Sequence, residues 1–307
     1  MVNMAQRRRV VGTGLTVMDR IYTDGVFVSE ELGGSCGNVL LSLAMLRHDV
    51  APLISLGMDE IGGRLVEKFA AVGADVSLIR RETGRHSPVI AQEVDTASSQ
   101  HTFSFTCVDT SMELPRYWPI EPAQVAAAAT VLTSCALFYS DRLSAGILEA
   151  MTAAQMAGAV VYFEPSDVDD VDLFDAALEL TTILKYSADR LGPELDEKVS
   201  NSAVVAIVTH GVSGLEVRRR GSSTWSDAVT AAHVADTCGS GDMVSIGLID
   251  WMLDRRADGE AVIDKLMDGV LAGQRLAAAN CAYVGARGLF IHEGPEGARR
   301  VLTGTAS

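Results

Sequence analysis

Apolar and polar positions alternate along this chain in two distinct rhythms. Short runs rich in valine and isoleucine are separated by longer stretches in which apolar residues recur at helical spacing. That alternation is the signature of a largely parallel sheet covered by helices. Strands are predicted at residues 9–12, 51–56, 137–140, 160–163, 182–184 and 204–209. Helices are predicted at 39–46, 62–72, 143–157, 173–180, 243–253 and 262–284. In the second of these, Leu65, Phe69 and Val72 share one face.

Two stretches break the rhythm. Residues 19–32 and 87–107 have β-branched or alternating character without helical period, as in Val89, Ile90 and Val94 or Thr102, Phe103 and Phe105. They can pair into a small sheet of their own beside the carboxyl ends of the parallel strands, where a sheet works as a lid. The competing reading makes them antiparallel edge strands of the main sheet. The acidic run 167–175 reads as a solvated loop and helix start. No internal repeat or low-complexity segment is evident.

Composition then narrows the class. With 48% hydrophobic and 21% charged residues, wholesale disorder is excluded. Against 40 Asp+Glu stand only 25 Lys+Arg, a net charge of -15. A nucleic-acid backbone or an anionic membrane surface needs a basic footprint, so neither is the expected partner. A local basic pocket for a phosphorylated ligand remains open. Cysteines at 36, 107, 135, 238 and 281 show no C-x-x-C spacing, so they suggest neither a zinc site nor a redox pair, and the histidines show no ligand spacing. The odd cysteine count suits a reducing cytoplasm. Basic residues 7–9 are followed by no apolar run, so no signal peptide is expected, and no apolar run reaches membrane-spanning length.

The sharpest chemical signal is Ala235-Asp236-Thr237-Cys238-Gly239-Ser240-Gly241-Asp242, leading into an apolar helix. Two glycines around a small residue let successive N–H groups point at one spot. At a helix N-terminus that spot carries partial positive charge and suits a phosphoryl group. Asp242 reads either as a reactive carboxylate or as an ordinary helix-capping residue. Gly12 and Gly14 resemble the start of a dinucleotide fingerprint, but the third glycine is missing at the required offset.

Asp-Thr-x-Gly-Ser-Gly-Asp before a long apolar helix resembles the ribokinase-like carbohydrate kinase family, the PfkB family of sugar and nucleoside kinases. Three further motifs carry the resemblance over residues 10 to about 290: Gly33-Gly34-Ser35-Cys36-Gly37-Asn38, Gly57-Met58-Asp59-Glu60-Ile61-Gly62 and Thr209-His210-Gly211-Val212-Ser213-Gly214. It implies a three-layer α/β/α ribokinase-like fold with a central, mostly parallel sheet and a small β-sheet lid. On this basis residues 1–307 form one kinase domain, the lid coming from about 19–33 and 87–107. The implied activity is ATP-dependent phosphorylation of a hydroxymethyl group on a sugar, with Mg2+ and ATP as cofactors. Asp242 would be the general base, and Gly239, Ser240 and Gly241 the anion hole. Asp19, Gly34 and Asn38 would bind the acceptor. Ser187, Thr209, Gly211, Gly214 and Asn280 would line the nucleotide, and no residue is assigned to hold metal. Asp19 also reads as a turn cap, and Asn38 as a residue satisfying a helix start.

Departures from the family pattern bear on the metal and the acceptor. Where the family carries Asn-x-x-Glu, this chain has Ser187-Ala188-Asp189-Arg190, and Glu164-Pro165-Ser166 replaces Asp-Pro-Asn. Arg190 is expected to meet triphosphate oxygens, with Asp189 as the alternative stand-in for the missing acid. The stretch between Asp19 and Gly33 is short for the family, which implies a trimmed lid. Phe103 and Phe105 are candidates to stack on a base, the mark of a nucleoside acceptor; a non-catalytic ligand sensor is the other alternative. A homodimer through the lid is expected, because Val26, Phe27, Val28, Phe103 and Phe105 give it an apolar face needing cover.

Overall fold

A computed structural model describes residues 9–95, 100–200, 202–257 and 265–304. The first eight strands are β1 (Val10–Thr13), β2 (Val17–Thr23), β3 (Val26–Gly33), β4 (Val50–Pro52), β5 (Ser55–Gly57), β6 (Arg80–Glu82), β7 (Val89–Asp95) and β8 (Gln100–Ser104). Six follow: β9 (Leu137–Ser140), β10 (Val160–Phe163), β11 (Ile183–Ser187), β12 (Val205–Thr209), β13 (Gly214–Arg219) and β14 (Ser222–Asp227). Helices α1 (Ser35–Met45), α2 (Glu60–Ala71), α3 (Pro122–Ala127), α4 (Ala129–Leu132) and α5 (Ala145–Met156) occupy the first half. Then come α6 (Val171–Leu180), α7 (Ala188–Ser200), α8 (Ser240–Ala257), α9 (Leu266–Asn280) and α10 (Gly288–Leu302).

The main sheet runs β14-β13-β12-β11-β10-β9-β1-β4. It is parallel from β4 to β12 and antiparallel where β13 and β14 are added. Its parallel strands from β4 to β12 are buried on both faces, so alternate residues enter different cores. Leu137, Tyr139, Tyr162, Ile183 and Ile207 pack with residues of α1, α8, α9 and α10. Phe138, Val161, Phe163, Leu184 and Val208 pack with α5, α6 and α7. Three layers result.

The two stretches outside the rhythm do form a separate small sheet, β3-β2-β7-β8, and do not extend the main one. β2 pairs antiparallel with β3 and parallel with β7; β7 pairs antiparallel with β8. The register places Asp19, Ile21, Ile90, Gln92, Val94, His101 and Phe103 on one face. At the opposite edge, Val26, Phe27 and Val28 stay half or more exposed. Residues 96–99 of the second stretch lie outside the described residues.

Other boundaries moved for identifiable reasons. The strand expected at 51–56 is two strands: β4 ends at Pro52, and β5 leaves the main sheet to pair with β6. The helix expected from 39 starts at Ser35, and its expected counterpart at 243 starts at Ser240. The late helix begins at Leu266; residues 262–264 lie outside the described residues. Among the described residues, no helix is long and apolar enough to cross a membrane.

Candidate active site

Parallel strands deliver their carboxyl ends to one edge, and two helix N-termini point back at it. Gly34 makes the turn into α1 with φ of 77°; a side chain there would strike the Leu15 carbonyl. The turn sets Asn38 in the first helical turn, 3% exposed, where its Nδ2 donates to Asp242 Oδ2 at 2.8 Å. Two motifs 204 positions apart thus meet side chain to side chain. Asp242 lies in the first turn of α8. Burial raises its pKa to about 6, helped by the nearby charge of Glu164, while Asn38, Lys185 and Ser35 pull it down.

The loop before α8 is shaped by Asp236, which is 1% exposed. Its Oδ1 accepts from the Cys238 N–H at 2.8 Å, and its Oδ2 from the Gly285 N–H at 2.8 Å. Gly239 is needed for its φ of 71°, and an added Cβ would lie 2.6 Å from Ala286 Cα. Ser240 gives its N–H to the Thr237 carbonyl at 3.2 Å. The remaining first-turn amides of α8, Gly241 and Asp242 among them, have no partner within the helix. Asn280 is fully buried behind this loop. Its Nδ2 donates to the Cys238 and Gly285 carbonyls, and its Oδ1 accepts from Leu289 N–H. Its side chain therefore staples the loop to α10 and does not face an open nucleotide site.

Beneath Asp242 lies a network invisible to the motifs. Lys185 on β11 is 2% exposed and ion-paired with Glu164. A Cβ built on Gly241 would lie 3.5 Å from Lys185 Nζ, so this ammonium borders the glycine loop. Glu164 Oε2 also accepts from Ser245 Oγ at 2.6 Å and Tyr139 OH at 3.2 Å. Both Glu164 oxygens are thus committed. Glu164 therefore has no uncommitted carboxylate oxygen for a protein-held magnesium.

On the side of the small sheet, Asp19 on β2 is buried against Gly33, where any side chain would strike its carboxylate. Burial raises its pKa to about 7; Arg287 opposes the rise, and Asp242 and Glu31 add to it. Arg287 is 5% exposed, donates from Nη2 to the Leu32 carbonyl at 2.9 Å and leaves Nε without a partner. Asp141, at the end of β9, accepts from the Leu15 and Cys36 amides. Burial raises it to about 7 as well. Several buried acceptors or hydroxyls in this region have no partner, namely Thr13 Oγ1, Thr16 Oγ1, Asn38 Oδ1 and Gln92 Oε1. Local patterning gave no signal for Lys185, Arg287 or Asp141, whose partners lie far away in sequence.

The proposed nucleotide residues sit at neighbouring strand ends. Ser187 closes β11 and pairs in register with Thr209, which closes β12. Gly211 has φ of 56° and Gly214 φ of 130°; a side chain on Gly214 would hit the Ser226 carbonyl. Arg190 and Asp189 are both exposed in the first turn of α7. Phe103 is exposed beside His101, edge-on at 5.2 Å, whereas Phe105 carries the Arg116 guanidinium over its ring. Linear spacing pointed to no metal ligand, yet the fold brings His101, Asp236 and Cys238 together.

Residues 8–290 match the family model described as pfkB family carbohydrate kinase. No curated protein matches the chain. Among solved structures, it is similar to a fructokinase with bound ATP from Xylella fastidiosa, at 16% identity and TM-score 0.74, covering 98% of this chain and 100% of that one. An aminoimidazole riboside kinase from Salmonella enterica, complexed with aminoimidazole riboside and an ATP analogue, matches at 19% identity and TM-score 0.72, over 96% and 99%. A nucleoside kinase from Burkholderia thailandensis in complex with inosine matches at 18% identity and TM-score 0.68, over 91% and 92%. At these identities the likeness is one of fold.

The raised Asp242 pKa has a consequence for stability. Its folded value near 6 exceeds the reference 3.8, so between those values the folded state holds more protons than the unfolded one. Stability is therefore lost as pH rises through this window, by about 2–3 kcal/mol above it. Asp242→Asn should be more stable than the parent chain at pH 8 by about 2 kcal/mol, the difference vanishing toward pH 4. Urea titrations at both pH values check this; equal stability throughout would remove the buried charge from the balance.

Proposed function

Because the chain belongs to the pfkB family of carbohydrate kinases, we propose that it transfers the γ-phosphoryl group of ATP to a hydroxymethyl group of a sugar, with Asp242 as general base. One observation carries this reading: a buried carboxyl, set near neutrality, stands in the first turn of α8 beside the Gly239–Gly241 loop. The fructokinase neighbour binds ATP and the riboside kinase an ATP analogue, which supports ATP as donor.

Asp242 takes the proton from the acceptor hydroxyl as that oxygen attacks the γ-phosphorus in line. The bond to the β–γ bridging oxygen breaks, and ADP leaves with the electron pair. Backbone amides at Gly239 and Gly241 and the Lys185 ammonium meet the charge spread over the equatorial oxygens, while the Ser240 N–H is taken by the Thr237 carbonyl. Asp19, Gly34 and Asn38 hold the acceptor, and the unpartnered Thr13, Thr16 and Gln92 atoms suit its further hydroxyls. Ser187, Thr209, Gly211 and Gly214 line the nucleotide. Glu164 has no free oxygen with which to hold magnesium, so the charge neutralisation that ion supplies would come with the bound ATP. The small sheet acts as a lid over the acceptor. All five cysteines are free thiols, which supports a cytoplasmic setting.

A nucleoside acceptor is the second reading. Phe103 favours it, being exposed on the face of the small sheet that also carries Asp19, and two neighbours bind inosine or aminoimidazole riboside. A ligand sensor without catalysis would have no use for a carboxyl held near neutrality at an anion site.

Consumption of ATP across a panel of sugars and nucleosides tests the reaction and separates the acceptors. With the accepted substrate, Asp242→Asn should lower kcat by about 10²–10⁴-fold. In the parent enzyme kcat/KM should fall about tenfold per pH unit below about 6, where Asp242 takes up its proton. Near-normal turnover in the variant would remove Asp242 from the mechanism.

The cations separate by the same assay. Lys185→Met should raise the KM for ATP and lower kcat together. Arg190→Ala should raise only that KM and leave the magnesium optimum in place. A magnesium requirement shifted upward by Asp189→Ala, with Arg190→Ala silent, would make Asp189 the working group.

The exposed Val26, Phe27, Val28 and Phe103 support a homodimer formed through the small sheet. Light scattering at micromolar concentration should return twice the 32.6 kDa chain mass. A monomer would assign the apolar edge to covering substrate.

A further inference from the structure

Four side chains from distant parts of the chain converge where the small sheet meets the loop before α8. His101 comes from β8 and Gln92 from the adjacent β7, on the same face, because Val94 pairs with His101 and Gln92 with Phe103. Asp236 and Cys238 come from the loop. One donor atom each from His101, Asp236 and Cys238 lies within 4.8 Å of the others. His101 Nδ1 is 3.0 Å from Asp236 Oδ1. Gln92 is fully buried; its Nε2 stands 3.4 Å from Asp236 Oδ2, while its Oε1 has no partner. Its amide also contacts the Cys238 thiol. Gln92 turns its amide nitrogen to this cluster; its orphaned oxygen joins the nitrogen, carboxylate and sulfur donors once the amide is turned over, which completes a four-donor shell.

We propose that His101, Asp236, Cys238 and Gln92 form a binding site for a zinc-class divalent transition metal that ties the small sheet to the loop before α8. Donor chemistry selects the class. Thiolate and imidazole favour borderline and soft ions over magnesium or calcium. Geometry is close to ready. Tetrahedral coordination at about 2.0–2.2 Å puts a nitrogen and an oxygen ligand about 3.4 Å apart, so His101 and Asp236 need part by only about 0.4 Å. Charge also balances. On binding, the Cys238 thiol releases its proton to solvent, and His101 ligates through an unprotonated Nδ1, its Nε2 keeping the hydrogen. One thiolate and one carboxylate then cancel the two positive charges, and a neutral site is the kind that tolerates burial. Entry is from the His101 side, which is 21% exposed, while Asp236 and Cys238 are nearly closed off.

The ion is not the magnesium carried by ATP, and its binding does not depend on the kinase reading. Where the small sheet does serve as a lid, occupancy would hold that lid against the loop.

Chelator-treated full-length protein titrated with cobalt(II) alone tests the site. One equivalent should bind, with the visible bands of tetrahedral cobalt and a near-ultraviolet thiolate charge-transfer band. Cys238→Ser should abolish the charge-transfer band, and Cys107→Ser should keep it. His101→Ala should weaken binding by at least about tenfold, the loss that even an outer-shell partner costs. X-ray absorption on the cobalt-loaded parent chain needs no variant to fold, and should show one sulfur among nitrogen and oxygen ligands. A sulfur-free shell, binding unaltered by His101→Ala, or no binding at micromolar cobalt would each overturn the proposal.

Discussion

Asp236 is a carboxylate held almost wholly out of water, and the geometry around α8 depends on how its oxygens are satisfied. Amides of Cys238 and Gly285 donate to it, from the loop before α8 and the loop before α10 respectively. Against the desolvation of its site, the His101 hydrogen bond and these two amides hold its pKa below the usual carboxylate range. One side chain thereby fixes two loops in one register. Gly239 can then turn with positive φ against Ala286, and Asn280 closes the same corner from behind. Without that anchor, the amides at the start of α8 would have no common direction, and Asp242 no defined place.

From this corner the electrostatics of the site spread outward. Asp19, Asp141 and Asp242 are all buried carboxyls with raised pKa values, and the Asp242 charge contributes to raising the other two. Such a cluster works against stability near neutral pH, as buried like charges must. Folding cannot favour it for its own sake. The compensations are local: Arg287 faces Asp19, backbone amides bind Asp141, and Asn38 with Lys185 faces Asp242. None is complete, so each carboxyl stays within reach of protonation. Titratable groups poised in this way belong to sites that bind or react.

The strands at 137–140 and 160–163 are where residue pattern alone placed them, because parallel strands buried on both faces are short, apolar and abruptly bounded. The β13–β14 hairpin escaped notice for the opposite reason: Ser222–Asp227 is mostly exposed and polar, so no alternation marks it. The start of α1 was equally hidden. Ser35, Cys36 and Gly37 are weak helix formers, and their helical state is imposed by the Gly34 turn and by the Leu15 carbonyl accepting from Gly37. For the site, glycine motifs and Asp242 are legible as local sequence. Lys185, Asp141 and Arg287 are not, and Glu164 showed only as a departure from the family pattern, since each takes meaning from a partner brought near only by the fold. His101 and Cys238 lie far apart along the chain, and their meeting depends on how the small sheet docks.

The replacement of an expected acid by Arg190 looks severe in the sequence and is mild in the fold. Arg190 stands exposed at the start of α7, where solvent and salt screen its charge. Lys185 and Ser187 are two apart on β11, so their side chains share the face toward α8. Of the two, Lys185 is buried, paired with Glu164 and adjacent to Gly241. The same unit charge acts several times more strongly there than in water. An arriving phosphate would compete with Glu164 for that ammonium, and Glu164 would keep Ser245 and Tyr139 as donors when it let go. Released from Lys185, Glu164 would press harder on Asp242 and raise its appetite for a proton. On the kinase reading, phosphate binding and the strength of the base are therefore coupled through one buried ion pair. A carboxylate at the exposed position 190 has little left to add.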